Sequence, residues 1–265
     1  MCSKCGRKKM DKVFTLAKNT LSEMLREKLF LVVLIMAVLL FGLSLVLGAL
    51  SFDEEKKIMT DFGFAAIQLA SLGIALFSGS YMLAREIEKQ TCLLILSRPV
   101  SRDQFILGKF FGVLALNTLL MIFLGLCLAG LLKVWERPQE LLPFTEICLS
   151  LWCESILILG LVLLFSLIVR PVIALSFGIM VFLLGHWLGD LEFFAKASKQ
   201  ALFIHAVQVL QWVSPNLYRM NWKSVFYLEK GIPSQDVLWM IAHSLGWIVL
   251  LLLLTNFLFR RKDIV

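Results

Sequence analysis

Charge is scarce in this sequence. Asp, Glu, Lys and Arg make up 17% of its 265 residues, against roughly 25% in soluble globular domains. A soluble domain of this length would lack the polar side chains to cover its surface. Proline is scarce too. Its six residues stand at 99, 138, 143, 171, 215 and 233, outside the interiors of the long apolar runs. The six cysteines set out no disulfide framework. A phosphate-cradling G-x-x-x-x-G-K-[ST] loop is missing: Gly108-Lys109 is followed by Phe110, and Asp103 stands where the first glycine would be needed. H-E-x-x-H is missing as well. These absences exclude a soluble enzyme, a disordered tail protein, a secreted disulfide scaffold and ATP hydrolysis by this chain.

Apolar residues, by contrast, make up 59% of the chain, and they are gathered into runs. A helix crossing the hydrocarbon core needs about 20 of them. The runs 29–50 and 62–84 carry no charge, and 105–132 carries only Lys109 near its start, where a long side chain can snorkel. The run 143–169 carries Glu146 and Glu154, while 171–189 and 237–259 carry no formal charge. A single helix from 143 to 189 would be about 70 Å long at 1.5 Å per residue, over twice a core of roughly 30 Å. Arg170-Pro171 is therefore a tight hairpin, with Pro171 suited to the first turn of the next helix. The apolar stretch 201–213 is too short to cross, and it lies in the interface or re-enters. Uninterrupted runs exclude the alternation of a membrane barrel. The expected fold is all-α: a polytopic membrane protein with six transmembrane helices. Residues 1–28 form a tail with an amphipathic helix, 29–259 the six-span domain, and 260–265 a second tail. The first run is not read as a cleavable signal, because it starts after 28 residues, exceeds a typical h-region and is followed by no A-x-A site.

Six spans put both termini on one side. That side, with the two loops that share it, carries 17 Lys and Arg against 9 on the other. The positive-inside rule then places both termini in the cytoplasm of a cell (inner) membrane protein. The net charge of +7 becomes a topology signal. No nucleic-acid partner is expected, since the basic tail has no aromatic interleaving. In residues 12–28, Val13, Leu16, Ala17, Leu21, Met24 and Leu25 share one helical face. Such a helix lies along the cytoplasmic interface or simply extends the first span. Cys2-x-x-Cys5 has metal-ligand spacing but only two of the four ligands that a structural zinc needs, and it is read as incidental thiols. Cys127 and Cys148 are read as packing residues.

The most informative stretch is the loop 85–104, REIEKQTCLLILSRPVSRDQ. Thr91 caps a short helix carrying Leu93–Leu96, and Pro99 stops it. Ser101-x-x-Gln104 has the form of a capping box that opens the third span, with Val100 and Phe105 placed as a hydrophobic staple. A short apolar helix between two long spans either lies on the membrane or docks into a groove of a soluble partner. In the second case Arg85, Glu86, Glu88, Lys89, Arg98 and Arg102 form a charged rim.

With its continuation, REIEKQTCLLILSRPVSRDQFILGKFFG resembles the loop between the second and third spans of ABC-type-2 transporter permeases. The matching residues are Arg85-Glu86, Thr91, Leu93–Leu96, Arg98-Pro99-Val100-Ser101-Arg102 and Gly108-Lys109, while Gln90 stands where glycine is common. The amphipathic lead-in, the six-span plan and the long outer loop 190–236 with its Val213-Ser214-Pro215-Asn216-Leu217 turn match as well. The resemblance implies a non-catalytic permease subunit of an ABC transporter, an exporter or a related ATP-driven machine. It implies a separate ABC ATPase subunit that holds the ATP and Mg, so this chain carries no cofactor of its own. It implies a second permease subunit, either another copy or a related chain. It also implies that the loop seats in the ATPase as a coupling helix. Arg85, Glu86, Glu88, Lys89, Thr91, Leu93, Leu94, Leu96, Arg98, Pro99, Arg102 and Lys109 are then the ATPase-coupling residues.

Inside the spans, Glu154 stands out, because a carboxylate at depth is costly and is either functional or paired. Glu146 lies eight residues earlier on a similar face. With His186 and His243 these residues line a substrate or proton path, or else Glu154 fixes helix packing. Four scattered residues make no metal site. Gly108-x-x-x-Gly112 and Gly185-x-x-x-Gly189 permit close packing within the bundle. Trp187, Trp212, Trp222, Trp239 and Trp247 suit an outer aromatic belt. Two other classes compete. An ion-coupled secondary transporter would show broken helices around a midplane site, but proline falls outside the span interiors. An intramembrane enzyme would need more than the loose pair His186-x-x-x-Asp190.

Overall fold

The computed structural model describes residues 2–50, 55–88, 101–134, 141–198, 200–223 and 231–261. These form helices α1 (Cys2–Leu25), α2 (Lys28–Leu50), α3 (Glu55–Glu88), α4 (Arg102–Val134), α5 (Leu141–Ser166), α6 (Pro171–Ser198), α7 (Ala201–Val213) and α8 (Ser234–Arg261), with a 3-10 turn at Leu217–Met220. No strand occurs among the described residues. Helices α2 to α6 and α8 are long and apolar enough to cross a membrane.

All six expected runs lie on helices, although the helix of 143–169 ends at Ser166, and several helices outrun their apolar stretch. Helix α3 extends beyond 62–84 at both ends, and α6 continues past Gly189 to Ser198. The extension of α6 carries Glu192 and Lys196 one turn apart, 2.6 Å between carboxylate and ammonium, a spacing that supports a solvated helix. The hairpin at Arg170-Pro171 is present: the Arg170 carbonyl accepts the N–H groups of Ile173 and Ala174, each at 3.0 Å. Helix α7 packs on α6.

Helix α5 is the most enclosed span and packs against α3, α4, α6 and α8. Helices α2, α6 and α8 are the most open, and their outward residues, such as Leu39, Phe177 and Leu253, are apolar, as a lipid-facing surface requires.

Helix α1 is a helix of its own rather than an extension of the first span, because the chain turns at Arg26-Glu27 before α2 begins. Its apolar stripe is met by protein: α1 packs along α4. A Cβ on Gly108 would lie 2.6 Å from Leu16 Cβ, and one on Gly112 would lie 2.5 Å from Thr20 Cβ and 2.9 Å from the Ala17 carbonyl. Both helices advance four residues between these contacts, so they run in the same direction. The first glycine pair thus serves α1. Val13, Leu16, Ala17 and Leu21 are half-buried and Met24 is buried, whereas Leu25, at the helix end, is 44% exposed.

Candidate functional site

Two groups of polar side chains lie at different levels of the bundle. The first gathers at the end where α1, the close of α3, the opening of α4 and the close of α8 meet. Lys109 on α4 is only 4% exposed and does not reach outward. Its ammonium pairs with Glu86 of α3 and lies 3.4 Å from Glu23 Oε2 of α1. Arg85 donates to Glu27 Oε1 at 2.7 Å, which ties α3 to the α1–α2 turn. The expected capping box is formed: Ser101 N–H donates to Gln104 Oε1 at 3.1 Å, and Gln104 N–H donates to Ser101 Oγ at 3.3 Å. Arg102 turns towards α8 and donates to the carbonyls of Phe259 at 3.1 Å and Arg260 at 3.0 Å. These are terminal carbonyls that the helix leaves without an internal partner. Asp103 accepts from Arg260 Nε at 2.8 Å, and Phe105 stacks on Phe259 with ring centroids 5.8 Å apart.

Lys89, Thr91, Leu93, Leu94, Leu96, Arg98 and Pro99 lie outside the described residues, as does Val100. Glu88 is the last residue of α3. Arg85, Glu86, Arg102 and Lys109 are described: Arg85 faces the α1–α2 turn, Glu86 faces α4, Arg102 faces α8, and Lys109 faces α3 and α1. The stretch 89–100 is therefore bracketed by two clamps, one through Lys109 and one through Arg102 and Asp103.

The second group lies inside the bundle. Glu154 is the central residue of the Leu142–Ser166 span and is 2% exposed. His186 Nε2 of α6 lies 2.6 Å from Glu154 Oε1. The amide nitrogen of Gln68, on α3, lies 3.1 Å from both carboxylate oxygens. An ionised carboxylate only accepts, so with Glu154 ionised the hydrogen is on His186 Nε2. The amide oxygen of Gln68 accepts from the ammonium of Lys223, which follows the 3-10 turn. Burial pushes the Lys223 ammonium below the ordinary lysine value, against the opposing pull of Glu154 and Asp61.

The segment that delivers Lys223 is seated in the bundle. Leu217 and Met220 are buried, and Trp222 is 8% exposed. A Cβ on Gly185 would lie 2.8 Å from Leu217 Cδ1 and 3.1 Å from the Pro215 carbonyl, and one on Gly189 would lie 2.9 Å from Tyr218 Cδ2. The second glycine pair thus admits a loop rather than a helix. Ser150 on α5 donates to the Met220 carbonyl.

Of the expected path residues, Glu154 and His186 are brought together and the other two are not. Glu146 lies two turns away along α5, outside this cluster. His243 stacks on Trp239 at 4.6 Å between centroids, with Arg219 over the same indole at 4.7 Å. Among the described residues no three His, Cys, Asp or Glu side chains gather as metal ligands. Cys153 is buried and Cys148 half-buried, while Cys127, expected to pack, lies on the exposed face of α4. Gln68 and Lys223 were not anticipated. Gln68 could have been noticed as the single amide in an uncharged run, but nothing in the sequence marks Lys223, which belongs to a loop.

An all-α bundle with six helices able to cross a membrane and a paired carboxylate at mid-span defines a multi-pass membrane protein. Residues 14–264 match the family model described as ABC-2 family transporter protein, and the chain belongs to that family. It is thus a membrane component of an ABC transporter. No curated protein matches the chain.

Proposed function

We propose that this chain is the permease subunit of an exporter driven by a separate ABC ATPase subunit, and that residues 91–98 are the coupling helix seated in that ATPase. The observation that carries this reading is the double bracket around 89–100. A push on that stretch meets α3, α4 and α1 through Glu86, Lys109 and Glu23. It meets α8 through Arg102 and Asp103. Packed helices move as units rather than deforming continuously, so closure of a motor gripping this loop would shift several spans together. The chain has no phosphate-binding loop, which supports the reading that ATP and Mg are held by the partner. Charge asymmetry supports a cytoplasmic location for both termini and for this loop in an inner membrane. A second permease subunit, identical or related, would complete the translocation path. Glu154 and His186 are read as part of that path.

The test is copurification. Deletion of Leu93–Leu96 is expected to abolish recovery of the ABC ATPase with the chain while leaving membrane insertion intact. Unchanged recovery of the ATPase would refute the docking role.

A further inference from the structure

The Gln68 amide oxygen and the Glu154 carboxylate beside it are on spans, whereas the cation that donates to that amide oxygen is not. Gln68, Glu154 and His186 stand on α3, α5 and α6, three helices that pack against one another. The ammonium comes from Lys223, in the segment that connects α7 to α8. Gln68 makes the polarity of the site explicit: its amide nitrogen faces the carboxylate and its amide oxygen faces the ammonium. The remaining donors, the Gln68 amide and His186, are both aimed at Glu154. Without Lys223 the site would therefore present a carbonyl oxygen next to a carboxylate, with Asp61 adding a second negative field.

Such a site selects a cation, and the geometry narrows the class. Too few ligands gather for a metal ion among the described residues. A single carbonyl oxygen beside a carboxylate suits a compact ammonium with three donors better than a planar guanidinium, which favours bidentate partners. Among its described residues, the segment carrying Lys223 is seated through side-chain hydrogen bonds from Ser150 to the Met220 carbonyl, from Lys223 to Gln68 and between Tyr218 and Glu192, through Arg219 over Trp239, and through the burial of Leu217, Met220 and Trp222. That attachment can be released without breaking a span.

The geometry points to a primary-ammonium binding site formed by Gln68, Glu154 and His186 in the middle of the bundle, occupied in this conformation by the chain's own Lys223 as an internal surrogate for an amine ligand. Binding of the amine does not depend on the permease reading; only transport of an amine does.

The test is chemical rescue of the full-length chain in detergent, read by thermal unfolding with no ATPase or nucleotide present. Lys223→Met should unfold at a lower temperature than wild type. n-Butylammonium should restore the midpoint saturably, while n-butanol and sodium chloride at equal concentration should not. A tethered group competes at an effective concentration in the mM range, so wild type should need about tenfold more amine, or greater, for the same relative shift. Adding Glu154→Gln to Lys223→Met should remove the response. Lys223→Gln, which still donates to Gln68 without charge, provides a second host should Lys223→Met not fold. To separate a soluble amine from a lipid headgroup, Lys223→Met is placed in nanodiscs. Stabilisation in phosphatidylethanolamine over phosphatidylglycerol identifies the headgroup, and equal stability with retained n-butylammonium rescue identifies a soluble amine. A butylammonium shift no larger than that of butanol, or one that survives Glu154→Gln, overturns the proposal. Either result leaves ATPase copurification untouched.

Discussion

Gly112 of the third span lies against Thr20 of the first helix so closely that an added Cβ would stand 2.5 Å from Thr20 Cβ. The neighbouring Ala17 carbonyl, at 2.9 Å, belongs to the backbone and cannot swing away. The absence of a side chain at 112 is therefore what lets α1 travel along α4. Gly112→Ala should destabilise the chain by about 1–3 kcal/mol, the usual cost of overpacking, in spite of alanine's better helix propensity. Gly130→Ala on the same helix meets nothing within 4 Å and should be neutral or gain up to about 1 kcal/mol. Thermal unfolding of the two variants in the same detergent checks the contrast. Equal midpoints would remove α1 from the packing core.

Lys109 should be the costliest charge to remove at this end of the bundle. Breaking a buried pair by deleting one partner typically costs about 3–5 kcal/mol, because the other charge is left unpaired. The pair with Glu86 carries most of this, since the Glu23 carboxylate is more than half exposed and pairs in water contribute little. Lys109→Met should sharply lower the unfolding midpoint, and Glu86→Gln added to it should recover much of the loss. A double-mutant cycle measures the coupling, and additive losses would show that the pair is not a strut.

The fold was largely legible because lipid imposes one solution on a long apolar run. Runs such as 29–50 and 237–259 can only be spans, and the Arg170-Pro171 hairpin followed from length alone. The capping box of Ser101 and Gln104 was equally plain, since it depends on local spacing. What could not be read was who faces whom. The stripe Val13, Leu16, Ala17, Met24 announces an apolar partner without naming α4. Gly185 and Gly189 announce a close approach without saying that a loop makes it. Lys109 looked like a snorkelling residue because Glu86 and Glu23 are distant in sequence. Glu154 and His186 were suspected from the cost of burying them, but Lys223 joins their cluster through Gln68, from a segment whose composition gives no hint of depth.

Arg102 separates docking from transmission. It was grouped with the rim of the coupling loop, but its guanidinium is spent on the carbonyls of Phe259 and Arg260. Arg102→Gln should keep the ATPase bound and cost about 1.5–3 kcal/mol, the range of one hydrogen bond to a charged group, since the glutamine amide can keep one of the two bonds. Its effect should be a lower yield of transport per ATP hydrolysed, since α8 would follow the loop less closely, still held through Asp103 and Phe105. Measuring both rates in proteoliposomes checks this. Loss of ATPase copurification in Arg102→Gln would instead return the residue to the docking surface.

Glu154 decides whether the buried cluster belongs to transport or to packing alone. The carboxylate holds the His186 ring at 2.6 Å and orients the Gln68 amide. Its removal releases the polar contacts that two neighbouring helices make at mid-span. Because the loss also removes the costly charge, Glu154→Ala should assemble with its partners and insert normally. Transport should fall to background, since no other acidic side chain hydrogen-bonds His186 or Gln68 among the described residues. Recovery of the intact complex by size-exclusion chromatography, together with a transport measurement on the same preparation, reads the two effects apart. Full transport by Glu154→Ala would make the carboxylate a packing device, and failure of assembly would make it a structural keystone. Only lost transport in an assembled complex places it on the path.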